Sequence, residues 1–267
     1  MKRTSRTEKH PTEDVKKEET IAEELEIEKK VKAIKVEEAP SLFGWKPKTK
    51  LGEKAQKKEI TIDEILDKGY KILEPEIVDA LLPGLETALL EIGQSKGKYG
   101  GGKRSIWKQT QKKTQEGNKL KFAIAVVVGN RNGYVGLGKG HGKETVPARE
   151  KAIRNAKLNL IRIKRGCGSW DCNCREPHSI PFKVKGKVGG AEITLIPAPK
   201  GIGLFVNKQC KGILQLAGIK DAYSKAVGTT STLNLVRACL EALKKLSSIK
   251  IDEKFKKIGG VVEGSLK

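Results

Sequence analysis

Four residues within a stretch of twelve carry the side chains of a metal centre: Cys167, Cys172, Cys174 and His178, spaced C-x4-C-x-C-x3-H. Three thiolates and one imidazole complete a tetrahedral shell for zinc. The basic neighbours Arg165 and Arg175 favour ionised thiols there. Against this stands the tight C-x-C, which differs from the usual C-x2-C knuckle; free reduced thiols are the competing reading. A filled shell has no open position, so a metal here would staple the chain rather than catalyse. Cys210 and Cys239 stand alone in helix-like stretches and read as small core residues.

A second suggestive stretch is GYVGLGKGHGKET, residues 133–145, with five glycines and two lysines. A triphosphate loop needs glycine five places before its Gly-Lys pair and a hydroxyl after it. Leu137 and Glu144 hold those positions, and the glycines recur mostly at every second residue, which is no dinucleotide fingerprint either. The expectation is a loop just before a helix N-terminus, where backbone amides favour an anion and glycines admit a nucleic-acid phosphate. Lys139, His141 and Lys143 would donate to it. A tight turn is the competing reading and leaves the lysines unexplained.

Residues 94–121 hold nine Lys/Arg and one Glu, with Tyr99 and Trp107 among them. Gly100 to Gly102 bar a helix, so the stretch reads as a flexible basic loop. Charge for phosphates and rings for stacking suit RNA, with a solvated charge run as the alternative. With Arg131 and the basic side of the following helix, the candidate RNA-contacting set is Lys103, Arg104, Lys108, Lys112, Lys113, Lys119, Lys121, Arg131, Lys139, His141, Lys143, Arg154 and Lys157.

Composition points the same way. The 267-residue chain carries a net charge of +22, unevenly placed. Residues 1–40 hold 10 Lys/Arg against 11 Asp/Glu, and residues 41–267 hold 44 against 21. The surplus lies in the part expected to fold, which favours a polyanionic partner. Aromatic content is 4%, so small cores of Ile, Val, Leu and Ala are expected. No clustered carboxylates, activated nucleophile or open metal site supports an enzyme. The longest apolar run, FAIAVVV, is too short to span a bilayer, and no apolar core follows the charged start MKRTSRTEKHPT. A cytoplasmic protein with reduced cysteines and no membrane partner is expected.

The elements that must hold these residues follow from periodicity and breakers. Residues 1–58 read as a charged tail and linker, mostly flexible, with Phe43 and Trp45 either anchoring on RNA or a neighbour or tucked against the body. Residues 59–93 read as a helical extension: a helix capped by Thr61, then a second from Pro75 to about Ile92, interrupted at Pro83-Gly84. Residues 94–166 form one α/β unit. FAIAVVVG and YVGLG are strands joined at Asn132-Gly133, followed by a helix over ETVPAREKAIRNAKLNLIRIK that buries Ala152, Ile153, Ala156, Leu160 and Ile163. The connector spans 167–179. Residues 180–247 form a second α/β unit with strands near IPFKVKGKV and AEITLIP, a turn at PAPKGIG, a helix over Lys208 to Ala217, a strand near Asp221 to Val227 and a helix from about Ser231, capped by Thr230 or Ser231. Residues 248–267 read as a basic surface tail. The class is α+β, two small sandwich domains.

Two long stretches also carry a resemblance. FAIAVVVGNRNGYVGLGKGHGKETVPAREKAIRNAK and ITLIPAPKGIGLFVNKQCKGILQLAGIKDAYSKAVGTTSTLNLVRACLEAL, in that order, resemble the universal small-ribosomal-subunit protein five family, in the form of its archaeal members. The resemblance implies a double-stranded-RNA-binding-like first domain and a structural, rRNA-binding protein of the small subunit. It also implies a place near the channel by which messenger RNA enters, beside ribosomal proteins four and eight, with protein two close by. The contact with protein four influences decoding accuracy in the family; by position it matches Gly201, Gly203 and Lys211. Many relatives have Arg at position 211; Lys211 keeps the charge but lacks the planar fork. The loop around Lys112, Lys113, Gly117 and Lys119 matches one that points toward the decoding region. A free RNA chaperone is the alternative function, and an RNA- or nucleotide-processing enzyme a further one.

Overall fold

The computed structural model describes residues 45–94, 104–229 and 231–265. The expected N-terminal tail, Phe43, Tyr99, the glycines 100–102, Lys103 and Thr230 lie outside the described residues.

The centre of the molecule is a long strand, β3 (Gly117–Gly129). Its partner β4 (Tyr134–Gly142) lies antiparallel along one edge, and β5 (Leu160–Arg162) continues the sheet beyond β4. The other edge of β3 is shared end to end by β1 (Glu86–Leu90), which pairs with residues 125–129, and β2 (Lys108–Thr114), which pairs with residues 117–123. β3 has no polar side from 123 to 129 because both faces are covered. Ile124, Val126 and Val128 pack under helix α4 (Thr145–Leu158) with Ala148, Ala152 and Ala156. Ala125 and Val127 face a second core shared with the C-terminal half.

That half is a four-stranded sheet in the order β7 (Val184–Val188), β8 (Ala191–Pro197), β10 (Ala222–Gly228), β9 (Leu204–Phe205). Helix α6 (Thr232–Ser248) covers it, and α5 (Lys208–Leu216) packs between α6 and strands β1, β3 and β4 of the first sheet; together they bury Ile213, Leu214, Leu235, Val236 and Leu243. One apolar core therefore joins the two halves. At their junction the Arg131 N–H donates to the Leu216 carbonyl (2.8 Å) and the Gly133 N–H to that of Ala217 (3.1 Å).

The N-terminal helices α1 (Lys50–Gln56), α2 (Ile62–Asp67) and α3 (Pro75–Leu81) form a third cluster around Ile65, Ile77 and Tyr134. Thr61 caps α2 through the Glu64 N–H. Arg162 ties this layer down through Asp63 and Asp67, and the Tyr134 hydroxyl donates to Asp63.

Several expectations are corrected. The stretch 50–56 is helical; Trp45, of its two expected places, takes the one against the body, where its indole N–H donates to Glu74 (3.1 Å). The second extension helix ends at Leu81; after Pro83-Gly84 the residues ETALL join the sheet as β1, a long-range pairing that local periodicity does not encode. The basic loop is, from Lys108 onward, the β2–β3 hairpin. Helix α4 stops at Leu158, and Leu160 and Ile163 are buried from an extended segment that includes β5. The tail from 248 is not loose: helix α7 (Glu253–Gly259) and strand β11 (Val262–Glu263) return to pair with β6 (Lys164–Arg165).

Candidate metal centre and nucleic-acid interface

Strand β4 runs past the expected YVGLG to Gly142, so the expected glycine loop is mostly strand. Its period of two puts Gly136, Gly138 and Gly140 opposite Val128, Val126 and Ile124 on the face that α4 covers. A methyl group at Gly138 would lie 2.0 Å from the Ala152 carbonyl oxygen, and one at Gly140 2.0 Å from that of Ala148. At Gly136 the Ala156 carbonyl oxygen would be 2.2 Å away. The glycines, with alanines every fourth residue of α4, let helix and sheet backbones approach closely. They do not cradle phosphate.

The alternate residues do the opposite. Directly paired residues share a face of an antiparallel sheet. Register therefore sets Lys108 with Ala123 and His141, Lys112 with Lys119, and Ala125 with Lys139, while Lys121 lies two residues from Ala123 on the same strand. Lys108, Lys112, Lys119, Lys121, Lys139 and His141 thus share one face, away from α4. All but the half-buried Lys139 are exposed. The His141 imidazolium is held below its usual range by partial burial and then by Lys139 and Lys121. Lys119 also reaches Glu116 in the hairpin turn, an exposed pair of little energetic weight.

The remaining candidates are dispersed. Lys113 pairs with Asn118 on the opposite face, Arg154 is exposed on α4, and Lys143 is exposed between β4 and α4. Arg131 sits in the β3–β4 turn and pairs with Glu86 (2.7 Å). Arg104 is exposed before β2. Lys157 is the clear correction: it is buried and its ammonium lies 2.6 Å from Asp79 on α3. The helical wheel put it on the basic side, but α3 covers that side. Trp107, expected among the stacking rings, packs against the α4-side core.

The connector brings its four candidate ligands together. Cys167, Cys172, Cys174 and His178 have their ligand atoms within 4.8 Å of one another. Tetrahedral zinc with sulfur bonds of about 2.3 Å sets neighbouring sulfurs about 3.8 Å apart, so a small contraction would close the shell. Paired hydrogen bonds between Gly166 and Ser179 pinch the loop at its neck. The Cys167 N–H donates to the Gly259 carbonyl (2.8 Å), which adds the C-terminal segment to the support. Arg165 does not play the expected role; it turns away to Asn132 and the Gly264 carbonyl. The Cys172 thiol is instead drawn down to about 6 by the Lys200 backbone N–H and then by Cys174, while burial pushes Cys167 up to about 11. Donor set and geometry fit a structural metal ion.

Asp221 is the residue that sequence reasoning missed. Its Oδ2 lies 2.9 Å from His178 Nδ1, and its Oδ1 accepts from the N–H groups of Gly203 (2.7 Å) and Gly201 (3.2 Å). Gly201 and Gly203 have φ of 93° and 82°, so the turn they form uses backbone that glycine adopts most readily. Lys211 is exposed on α5.

Comparison with known proteins gives these features a context. Residues 106–164 match the ribosomal protein S5 N-terminal domain, and residues 186–257 match the ribosomal protein S5 C-terminal domain. The small ribosomal subunit protein uS5 of Nanoarchaeum equitans is 47% identical over 224 residues, covering 83% of this chain and 96% of the relative. The chain belongs to the ribosomal protein S5 family. The uS5 proteins of Methanocaldococcus jannaschii (49% over 222 residues, 82% of this chain and 95% of the relative) and Methanosphaera stadtmanae (47% over 225 residues, 84% and 92%) agree. The two S5 domains correspond to the two halves that share one core, and among the described residues no helix is long and apolar enough to cross a membrane.

Proposed function

We infer that this S5-family chain is a structural, non-enzymatic constituent of the small ribosomal subunit that binds rRNA through the exposed hairpin end of the first sheet, on the face opposite α4. The observation that carries this is the strand register, which collects Lys108, Lys112, Lys119, Lys121, Lys139 and His141 on one side. A rigid strand holds these charges at fixed spacing, which suits a phosphate backbone better than a mobile tail would. Lys143 and Arg154 add charge around α4 and Arg131 at the turn. The finer reading follows the family: a cytoplasmic protein near entering messenger RNA, beside ribosomal proteins four and eight, with protein two close by. The turn with Gly201 and Gly203, together with Lys211, is the contact that bears on accuracy. The Cys167, Cys172, Cys174 and His178 cluster is read as a structural zinc site that braces the connector.

The test is the double reversal Lys119→Glu, Lys121→Glu, measured against a small-subunit rRNA fragment across a salt series. The expected result is weaker binding and a log-log salt slope shallower by about 2, since each phosphate contact contributes about one unit. Folding should be unchanged. A wild-type slope, with normal retention on salt-washed small subunits, would remove this face from the RNA contact.

A further inference from the structure

The zinc-site reading leaves the Asp221 carboxylate unaccounted for. It is buried, and its side chain joins two features that lie far apart in sequence. One is His178, whose Nε2 faces Cys172 Sγ (3.7 Å) and whose Nδ1 faces Asp221. The other is the turn held by the Gly201 and Gly203 amides. The backbone doubles the link: the Lys220 and Asp221 N–H groups donate to the His178 carbonyl (2.8 and 3.1 Å). The Ser179 hydroxyl donates to the Asp221 carbonyl (2.6 Å) and accepts from the Ala198 N–H (3.2 Å). A third strand of contact runs outside, where Lys200 pairs with Glu176 (2.7 Å) and its N–H reaches Cys172.

We propose that Asp221 is a positioning residue that couples metal occupancy of the connector to the conformation of the 198–204 turn. The inference rests on the structural-zinc reading above and extends it. A histidine that binds metal through Nε2 must carry its proton on Nδ1, so it becomes an obligatory donor to Asp221 Oδ2. That bond fixes the carboxylate plane and leaves Oδ1 aimed at the two glycine amides. Without metal the ring is no longer pinned at Nε2, which then has Cys172 Sγ 3.7 Å away as its neighbour, so the ring can turn. The Nδ1 that meets Asp221 Oδ2 turns with it, and the orientation of Asp221 is no longer dictated. The turn has other ties, since the Gly203 carbonyl accepts from the Ala222 N–H (3.2 Å) and Leu204 begins β9, but the Gly201 and Gly203 amides themselves rest on Asp221 Oδ1. Coupling of this kind is reciprocal. A partner that clamps the turn tightens metal binding by the same factor that metal tightens the turn.

The experiment is hydrogen exchange on the full-length chain, kept reduced, with zinc bound and after chelation, read at the Gly201 and Gly203 amides. Zinc affinity is measured by chelator competition. In the wild type, chelation should speed exchange at these amides by about fivefold or more, the lower end of typical site-to-site coupling. The β3 amides of Val126 and Val127 should stay protected. Asp221→Asn should weaken zinc binding by about 10- to 100-fold, as loss of a carboxylate behind a ligating histidine does. It should also show fast turn exchange even when loaded. Equal turn exchange with and without one bound zinc overturns the coupling and leaves the zinc site standing. So does a loss of protection spread evenly over β3. Native protein without zinc overturns the zinc reading itself and this inference with it. Should Asp221→Asn fail to fold, the two wild-type states decide alone.

Discussion

The two faces of the first sheet are built from the same strands and do unrelated work. On one face β4 presents Gly136, Gly138 and Gly140, and the nearest atoms to their missing side chains are backbone atoms of α4. On the other, one residue out of step, it presents Lys139 and His141 beside Lys121 and Lys108. A strand of period two can therefore carry a packing code and a binding code interleaved, residue by residue. The glycine positions tolerate no added atom, while the exposed lysine and histidine positions of the other face, beyond the core residues Ala125, Val127 and Val135, tolerate most substitutions and would bind by charge. Stability and affinity should separate between adjacent positions.

The sharpest test of that separation is Gly138→Ala beside Lys139→Ala. The new methyl at 138 meets the Ala152 carbonyl oxygen and the Ala156 nitrogen, 2.0 and 2.3 Å away, and neither can rotate aside. Helix α4 must move off the sheet, opening the Ile124, Val126 and Val128 core. Overpacking of this kind, with backbone on both sides, should destabilise by more than about 3 kcal/mol. Lys139→Ala should stay within about 0.5 kcal/mol of wild type and lose rRNA affinity. Denaturant unfolding decides it; equal stability for the two variants would break the comparison.

A second test moves a cation from one list to the other. Lys157 shares the helix with exposed Arg154, yet it is buried against Asp79. Lys157→Ala leaves a buried carboxylate without its partner and should cost about 3 kcal/mol. The salt dependence of RNA binding should stay that of the wild type. Arg154→Ala should do the reverse: no measurable loss of stability and a slope shallower by about 1. A shallower slope for Lys157→Ala in folded protein would restore it to the binding surface.

These cases show what was legible in the sequence. YVGLG reads as a strand, but glycine is depleted in strands, so the sequence suggests a loop from Lys139 onward, where β4 in fact continues to Gly142. Only the alanines four apart in the next helix hint that the glycines face a helix. The cysteine and histidine spacing announced the side-chain cluster that could hold a metal ion. Asp221 carried no signal, because its partners come from positions 178, 201 and 203 and meet only after the chain folds. β1 was hidden for the same reason: ETALL reads as the end of the helix from Pro75, and its strand partner lies some forty residues on. Lys157 looked exposed because a helical wheel does not include the helix that packs over it.

The smallest expected effect concerns His141, and it reads the open face by pH. Burial, then Lys139 and Lys121, lower the His141 pKa in the folded protein. The folded state therefore disfavours the protonated ring, so its contribution to stability is complete above the unfolded value of about 6.5 and is lost as pH falls through the folded pKa. RNA inverts the sign. A phosphate placed over Lys121 and Lys139 cancels the repulsion and favours the imidazolium, so binding takes up a proton. Affinity for the rRNA fragment should rise modestly as pH falls from 8 toward the folded pKa, as one group takes up a proton. His141→Gln should flatten that rise while leaving the salt slope at pH 8 unchanged. A pH profile that survives the substitution would mean that the phosphate backbone crosses the hairpin, at Lys112 and Lys119, and not the Lys121–Lys139 end of the face.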